Sequence, residues 1–289
     1  MSFRSFDEIL CKCKEEDKPF WRIILEDDME ERLVTEEESI EKMRQLYMAM
    51  KAADEAYEKD LTSTSGLVGG DGERMGRALS EGKTLGGPFI GEVISKALKM
   101  GESNACMKKI VAAPTGGACG VIPAVLLTYE EQFGAFSQQM IEAMYVAAGI
   151  GQVIANRAFI SGAAGGCQAE IGSASAMASG ALAYLNGGDG ESITHAVAMS
   201  FKNLIGLVCD TVGGLVEVPC IKRNVGGAVI AIASADMAIA GIRSRIPPDE
   251  VIDAVREVGE SLPRTLRETG EGGLAATPTG KRITNELMR

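Results

Sequence analysis

Histidine occurs once in 289 residues, and that scarcity removes every mechanism that needs several imidazoles. A zinc-protease helix, which takes two histidines one turn apart, is among those excluded. Tryptophan also occurs once, and aromatic residues make up only 5% of the chain. Cations are the minority charge, with 29 Lys and Arg against 40 Asp and Glu, giving a formal charge of −11. That balance argues against a nucleic-acid partner, because phosphate neutralisation needs clustered cations. No G-x-x-x-x-G-K-S/T occurs, no G-x-G-x-x-G follows a strand, and no G-x-S-x-G elbow occurs. Long apolar runs are missing as well. The best candidate for a membrane span, Val225–Ile242, contains Asp236, Gly226, Gly227 and Ser234, and so reads as a buried helix. The first ten residues hold no apolar segment of the kind a secretory signal needs. Seven cysteines without such a signal lead us to expect a reducing, cytoplasmic setting with free thiols, metal ligands or nucleophiles.

What is present points to a helical enzyme-sized chain. The 46% hydrophobic content excludes disorder, and the length suits one or two domains. Residues 1–60 carry 18 acidic and 10 basic side chains, which leaves a net charge of only −3 for the other 229 residues. The expected organisation is an acidic helical region over 1–60 followed by a second unit over 61–289, with one continuous domain over 1–289 as the alternative. Thr35 and Glu38 form a capping box, followed by an apolar stripe of Ile40, Met43, Tyr47 and Met50 in a helix ending near Asp60. The Gly-rich stretch from Thr62 to Gly87 reads as a loop or binding surface. Pro88 suits the first turn of the next helix, and further helices are expected over about 138–155, 172–186, 190–205, 226–241 and 248–262. Few period-2 strands occur, so the expected class is mainly α, with Gly-rich loops interrupting the helices.

Those loops recur at 113–120, 161–167, 209–214 and 272–274. Glycine there can let backbone amides approach a ligand or simply let helices pack closely. His195 lies in an amphipathic helix, where packing or exposure explains it better than catalysis. Cys11 and Cys13 sit in a charged stretch with no third ligand near, and Cys106 and Cys119 read as small buried side chains. Cys167, Cys209 and Cys220 differ, because each begins or ends a Gly-rich or Pro-bounded turn. Their spacings of 42 and 11 residues match no ferredoxin or zinc-finger pattern, so spacing alone leaves both a cluster site and inert thiols open.

The longer motifs decide between them. Ser161-Gly-Ala-Ala-Gly-Gly-Cys167-Gln-Ala-Glu-Ile-Gly-Ser-Ala174 resembles a signature of the iron–sulfur L-serine dehydratases, as do Leu207–Asp210 and Val216–Asn224. Ala113–Gly120, Thr62–Leu67 and Arg267–Ala275 extend the likeness over nearly the whole chain, which resembles the α subunit of the two-chain bacterial form. The resemblance implies a helical catalytic domain whose Gly-rich loops converge on a [4Fe–4S] cluster held by Cys167, Cys209 and Cys220. It implies deamination of L-serine to pyruvate and ammonia in amino-acid catabolism and gluconeogenesis, without pyridoxal phosphate. An iron free of protein ligands would act as Lewis acid on the substrate hydroxyl. The family's base, a histidine in a Ser-Ser-Ser-His-Thr segment, has no counterpart here and is expected on a β subunit, in an αβ heterodimer or larger heteromer. The C-terminal cysteine that single-chain relatives fold onto the cluster is also absent from the Glu286–Arg289 end. Substrate-binding candidates are Thr64, Ser65, Thr115, Gly116, Gly117, Ser161, Lys222, Arg223 and Asn224. The Thr115–Gly117 amides suit a carboxylate, whereas Lys222 and Arg223 are equally readable as a solvated pair at a helix start. Family members often have Asn at Gly116 and at Arg157, and Pro at Thr211, so contacts there differ. A pyridoxal-phosphate dehydratase, a non-catalytic iron–sulfur carrier and an inert scaffold are the rival readings; the first lacks a Ser-x-Lys segment ahead of its Gly-rich loop.

Overall fold

The computed structural model describes residues 3–288. Among them the chain forms thirteen α-helices and three short 3-10 turns, and its one β feature is an isolated bridge between Cys209 and Arg267. The expected mainly α class is therefore what the chain adopts. The helices are α1 (Phe6–Glu16), α2 (Phe20–Arg32), α3 (Glu36–Glu55), α4 (Asp71–Ser80), α5 (Gly87–Ala105), α6 (Val121–Phe133) and α7 (Ser137–Arg157). They continue with α8 (Gly162–Gly165), α9 (Cys167–Leu185), α10 (Gly190–Leu204), α11 (Cys220–Ile239), α12 (Pro248–Ser261) and α13 (Pro278–Leu287).

Helix α9 is the axis of the molecule. Every residue from Cys167 to Ala183 is buried, and α6, α7, α10 and α11 pack around it. A helix with no solvated face has no amphipathic stripe, which suits its run of Gly, Ala and Ser. At Gly180 an added Cβ would collide with Ile150 of α7 and lie 3.3 Å from Ile193 of α10, so the three backbones meet where a side chain is missing. One turn away, Ser175 Oγ donates to the Gly227 carbonyl of α11 at 2.6 Å and accepts from Ser200 Oγ of α10 at 2.8 Å. Buried hydroxyls are thus satisfied while holding three helices at close range. The apolar core runs on without a break through Phe6 and Ile9 of α1, Phe20 and Ile23 of α2, and Tyr47 and Met50 of α3.

Local chemistry explains several helix starts. Thr35 and Glu38 make the expected reciprocal capping box on α3. Pro88 and Pro248 occupy the first turns of α5 and α12, with Asp249 and Glu250 at the positive end of the latter. The Asp249 carboxylate also accepts from the Phe6 and Asp7 amides at 2.9 and 3.2 Å, docking the start of α1 on α12.

One expectation is corrected. The Thr62–Gly87 stretch is not one loop, because α4 occupies Asp71–Ser80 within it. Its cap comes from a distant residue. The buried Glu102 carboxylate of α5 accepts from the Asp71 and Gly72 amides at 2.6 and 3.3 Å, satisfying the first-turn donors that no local side chain reaches. Helix α3 also stops at Glu55, short of Asp60, and α9 and α11 begin earlier than expected, at Cys167 and Cys220. The Val225–Ile242 segment falls largely in α11, and no helix among the described residues is long and apolar enough to cross a membrane.

Candidate active site

Cys167 is the first residue of α9 and Cys220 the first of α11, while Cys209 lies on the segment leaving α10. All three are buried. The Cys209 backbone is fixed by a two-way bridge to the segment after α12: its amide donates to Leu266 O at 2.8 Å and its carbonyl accepts from the Glu268 amide at 2.8 Å. The Cys209 and Cys167 thiols lie close enough to shift each other's ionisation. Arg223 of α11 reaches the same place. Its Nη1 lies 3.4 Å from Cys167 Sγ and donates to Val208 O at 2.8 Å, and its Nη2 donates to Asp210 Oδ1 at 2.7 Å. The other Asp210 oxygen accepts from the Leu274 amide at 2.8 Å.

The electrostatics divide the three thiols. The neighbouring Cys209 thiol, reinforced by the Arg223 charge, holds the Cys167 thiol below its ordinary range despite burial. Cys209, set against Cys167 and itself buried, is pushed up. Burial pushes Cys220 up to about 12. Around these sulfurs the walls are small. A Cβ on Gly162 would stand 2.9 Å from Cys209 Sγ and 3.3 Å from Glu268 Oε2, so only glycine lets the backbone come this close. Glu268 itself adopts the left-handed region, with φ of 63°, which is uncommon for a residue with a side chain.

Glu170, one helical turn beyond Cys167 on α9, is a third carboxyl group here after Asp210 and Glu268, and burial pushes it up. Its Oε1 accepts from Thr115 Oγ1 at 2.6 Å. Neither Glu170 nor Glu268 stood out in the sequence. For Glu170 the available signal was the Cys-x-x-Glu spacing, which puts both side chains on one helix face.

The remaining sequence candidates fall into two groups. Asn224 clamps the 113–120 loop: its Nδ2 donates to Gly117 O at 2.7 Å and Cys220 O at 3.0 Å, and its Oδ1 accepts from the Gly120 amide at 2.9 Å. Gly116 O accepts from Asn104 Nδ2 at 3.2 Å, and Ser161 directly precedes α8 and Gly162. Thr115, Gly117, Arg223 and Asn224 are thereby grouped with the cysteines through their contacts, and Gly116 and Ser161 through the residues next to them in the chain. Ser65 and Lys222 bond elsewhere. Ser65 Oγ donates to Glu217 Oε2 at 2.5 Å, Lys222 Nζ pairs with Asp71 Oδ2 at 2.5 Å, and Thr64 is exposed. His195 is also accounted for, since its Nδ1 accepts from the Ser244 amide at 3.2 Å.

Among the described residues no three His, Cys, Asp or Glu side chains are gathered tightly enough to hold a single metal ion. A polynuclear cluster asks for a different arrangement, with separate thiolates on separate irons. Three buried thiols from three elements, one of them held below its ordinary range, with glycine at the wall, make a donor set of that soft, sulfur-only kind.

Residues 15–275 match the family described as serine dehydratase alpha chain. The chain is 45% identical over 286 residues to the probable L-serine dehydratase, alpha chain, of Bacillus subtilis, covering 99% of this chain and 95% of that one. It is 39% identical over 284 residues to the L-serine dehydratase, alpha chain, of Peptoniphilus asaccharolyticus, covering 98% and 97%. Against the L-serine dehydratase of Streptomyces coelicolor it is 35% identical over 281 residues, which is 94% of this chain but 60% of that protein. The chain belongs to the serine dehydratase alpha chain family.

Proposed function

We propose that this chain is the catalytic α subunit of an L-serine ammonia-lyase, which converts L-serine to pyruvate and ammonia together with a β subunit in the reducing cytoplasm. The observation that carries the reading is the burial of Cys167, Cys209 and Cys220 near enough to perturb one another, with Arg223 Nη1 3.4 Å from the Cys167 sulfur. The names of the relatives supply the substrate and the reaction class. Held by Cys167, Cys209 and Cys220, a [4Fe–4S] cluster would supply a Lewis-acidic iron, free of protein ligands, to the substrate hydroxyl.

The chain's own residues prepare that place. Arg223 sets a positive charge against the Cys167 sulfur and fixes its side chain, and Asp210 keeps the guanidinium aimed. Gly162 leaves room beside Cys209, while Asn224 holds the Thr115–Gly117 loop over the same region. Thr115 and Gly117 are the substrate-facing candidates that this grouping favours, with Gly116 and Ser161 beside them in the chain. The one histidine, His195 on α10, accepts from the Ser244 amide, so acceptance of the Cα proton is assigned to the β subunit. The extra length of the Streptomyces coelicolor relative supports a second polypeptide completing the site.

The test is anaerobic assay of the purified α chain alone, the β chain alone, and their mixture with L-serine. Pyruvate formation by the mixture, at least tenfold faster than by either chain, is the expected result. An inactive mixture contradicts the activity, and full turnover by α alone contradicts the shared site.

A further inference from the structure

Glu170 is a buried carboxyl to which the protein supplies no counter-ion. It is 8% exposed, and its one hydrogen-bond donor is Thr115 Oγ1. Among the described residues no Lys, Arg or His forms an ion pair with it. The nearest charges push the other way, since Glu268 and the cysteine thiols are of like sign when ionised. Arg223, the cation of the region, is committed to Cys167, Val208 and Asp210. The first turn of α9 lends Glu170 some helix-dipole support, but a dipole is no counter-ion. A buried carboxylate without a cation is expensive, and the deficit is removed when a ligand brings the cation.

The neighbouring loop sharpens this. A Cβ at Gly117 would fall 2.6 Å from both Glu170 carboxylate oxygens, so the loop backbone lies directly on the carboxylate. A substrate carboxylate bound by these amides would face Glu170 at like charge. The ammonium end of an amino acid suits the position instead. Cys167 and Glu170 stand one turn apart on one face, about 5–6 Å between their Cβ atoms. That separation matches a substrate whose hydroxyl and ammonium sit on adjacent carbons, with the hydroxyl directed to the cysteines.

We infer that Glu170 is the specificity-determining residue that receives the substrate's ammonium group, with Thr115 orienting its carboxylate, and that the site thereby selects 2-amino-3-hydroxy acids over hydroxy acids lacking the amine. The inference rests on the proposed lyase activity and is separable from it.

The experiment compares wild type, Glu170→Gln and Glu170→Asp as reconstituted αβ enzyme, measuring iron content, kcat and KM for L-serine, and inhibition by 3-hydroxypropanoate, which has the hydroxyl and carboxylate but no ammonium. In Glu170→Gln the KM for L-serine rises at least tenfold while kcat falls less, and the inhibition constant for 3-hydroxypropanoate stays within about twofold or improves. Glu170→Asp, which keeps the charge one methylene further back, retains part of the preference for L-serine and decides the matter alone where the Gln variant does not fold. An unchanged KM in Glu170→Gln beside an active wild type overturns this inference and leaves the lyase reading standing. So does a parallel loss of affinity for both compounds, or a loss confined to kcat. A wild type that does not turn over L-serine overturns the lyase reading, and this inference with it.

Discussion

Arg223 meets Cys167 with its Nη1 3.4 Å from the sulfur, and the contact is fixed from behind. Its Nη2 is held by Asp210 at 2.7 Å, and Asp210 in turn accepts from the Leu274 amide at 2.8 Å. The orientation of one thiol at the start of α9 thus depends on α11, on the loop after α10 and on the C-terminal segment together. Hydrogen bonds to cluster sulfurs and charge near them tune cluster stability and potential.

Arg223→Lys keeps the positive charge but loses the planar fork that serves sulfur and carboxylate at once. The reconstituted cluster of this variant is expected to bleach in a chelator about 10–100-fold faster than the parent, the range seen when an outer-shell partner of a metal ligand is removed. Visible absorbance followed over time under argon measures it, and an unchanged lifetime would show that Arg223 does not support the cysteine.

Gly162→Ala places a methyl 2.9 Å from Cys209 Sγ. Overpacking of this kind costs about 1–3 kcal/mol. The expected outcome is a stable, helical chain with a modestly lower melting temperature and at least a halving of the iron retained after reconstitution. Full iron at parental stability would mean that the wall beside Cys209 is not tight.

Lys96, 5% exposed, lies 2.5 Å from Asp54 Oδ2 and 3.0 Å from Glu131 Oε1, tying α5 to α3 and α6. Lys96→Met strands the Asp54 carboxylate in the interior, a loss of about 3–5 kcal/mol by analogy with broken buried pairs. Adding Asp54→Leu is expected to recover most of it, because the stranded charge is then gone. Denaturant midpoints of the two single variants and the double variant test this, and equal, additive losses would contradict it.

His195 gives a clean pH reporter because the chain has no other imidazole. Burial and the nearby Arg243 charge lower its pKa below the ordinary value of about 6.5, and the Ser244 amide needs an unprotonated Nδ1. The unfolded chain therefore takes up this proton at higher pH than the folded one. Its contribution to stability is present above about pH 6.5 and is lost as pH falls through the folded value. NMR titration of the single ring should give a pKa below 6.5, and stability of His195→Gln should be flatter over the same interval. A raised pKa would contradict the Ser244 contact.

Much of this architecture is written in local chemistry. The Thr35–Glu38 box and the prolines at 88 and 248 announce their helices because the caps are adjacent in sequence. Helix α4 was hidden because Glu102, 31 positions after Asp71, caps it. The start of α9 was blurred for a different reason: burial on all sides removes the 3.6-residue period, so Gln168–Ser173 carries no stripe. At the site, the family motif marks the cysteines and Arg223, and the spatial contacts then separate Thr115, which touches Glu170, from Lys222, which serves Asp71. Glu170 and Glu268 became visible only when separate segments were brought together, since nothing in a single glutamate's neighbours along the chain records a missing cation.

Iron and acid-labile sulfide per chain, determined after anaerobic reconstitution, test the central claim most directly. The account predicts about four of each in the parent and in Cys11→Ser and Cys106→Ser, with loss in each of Cys167→Ser, Cys209→Ser and Cys220→Ser. A parent chain that takes up no iron, or a Cys209→Ser chain that keeps its full complement, would contradict it.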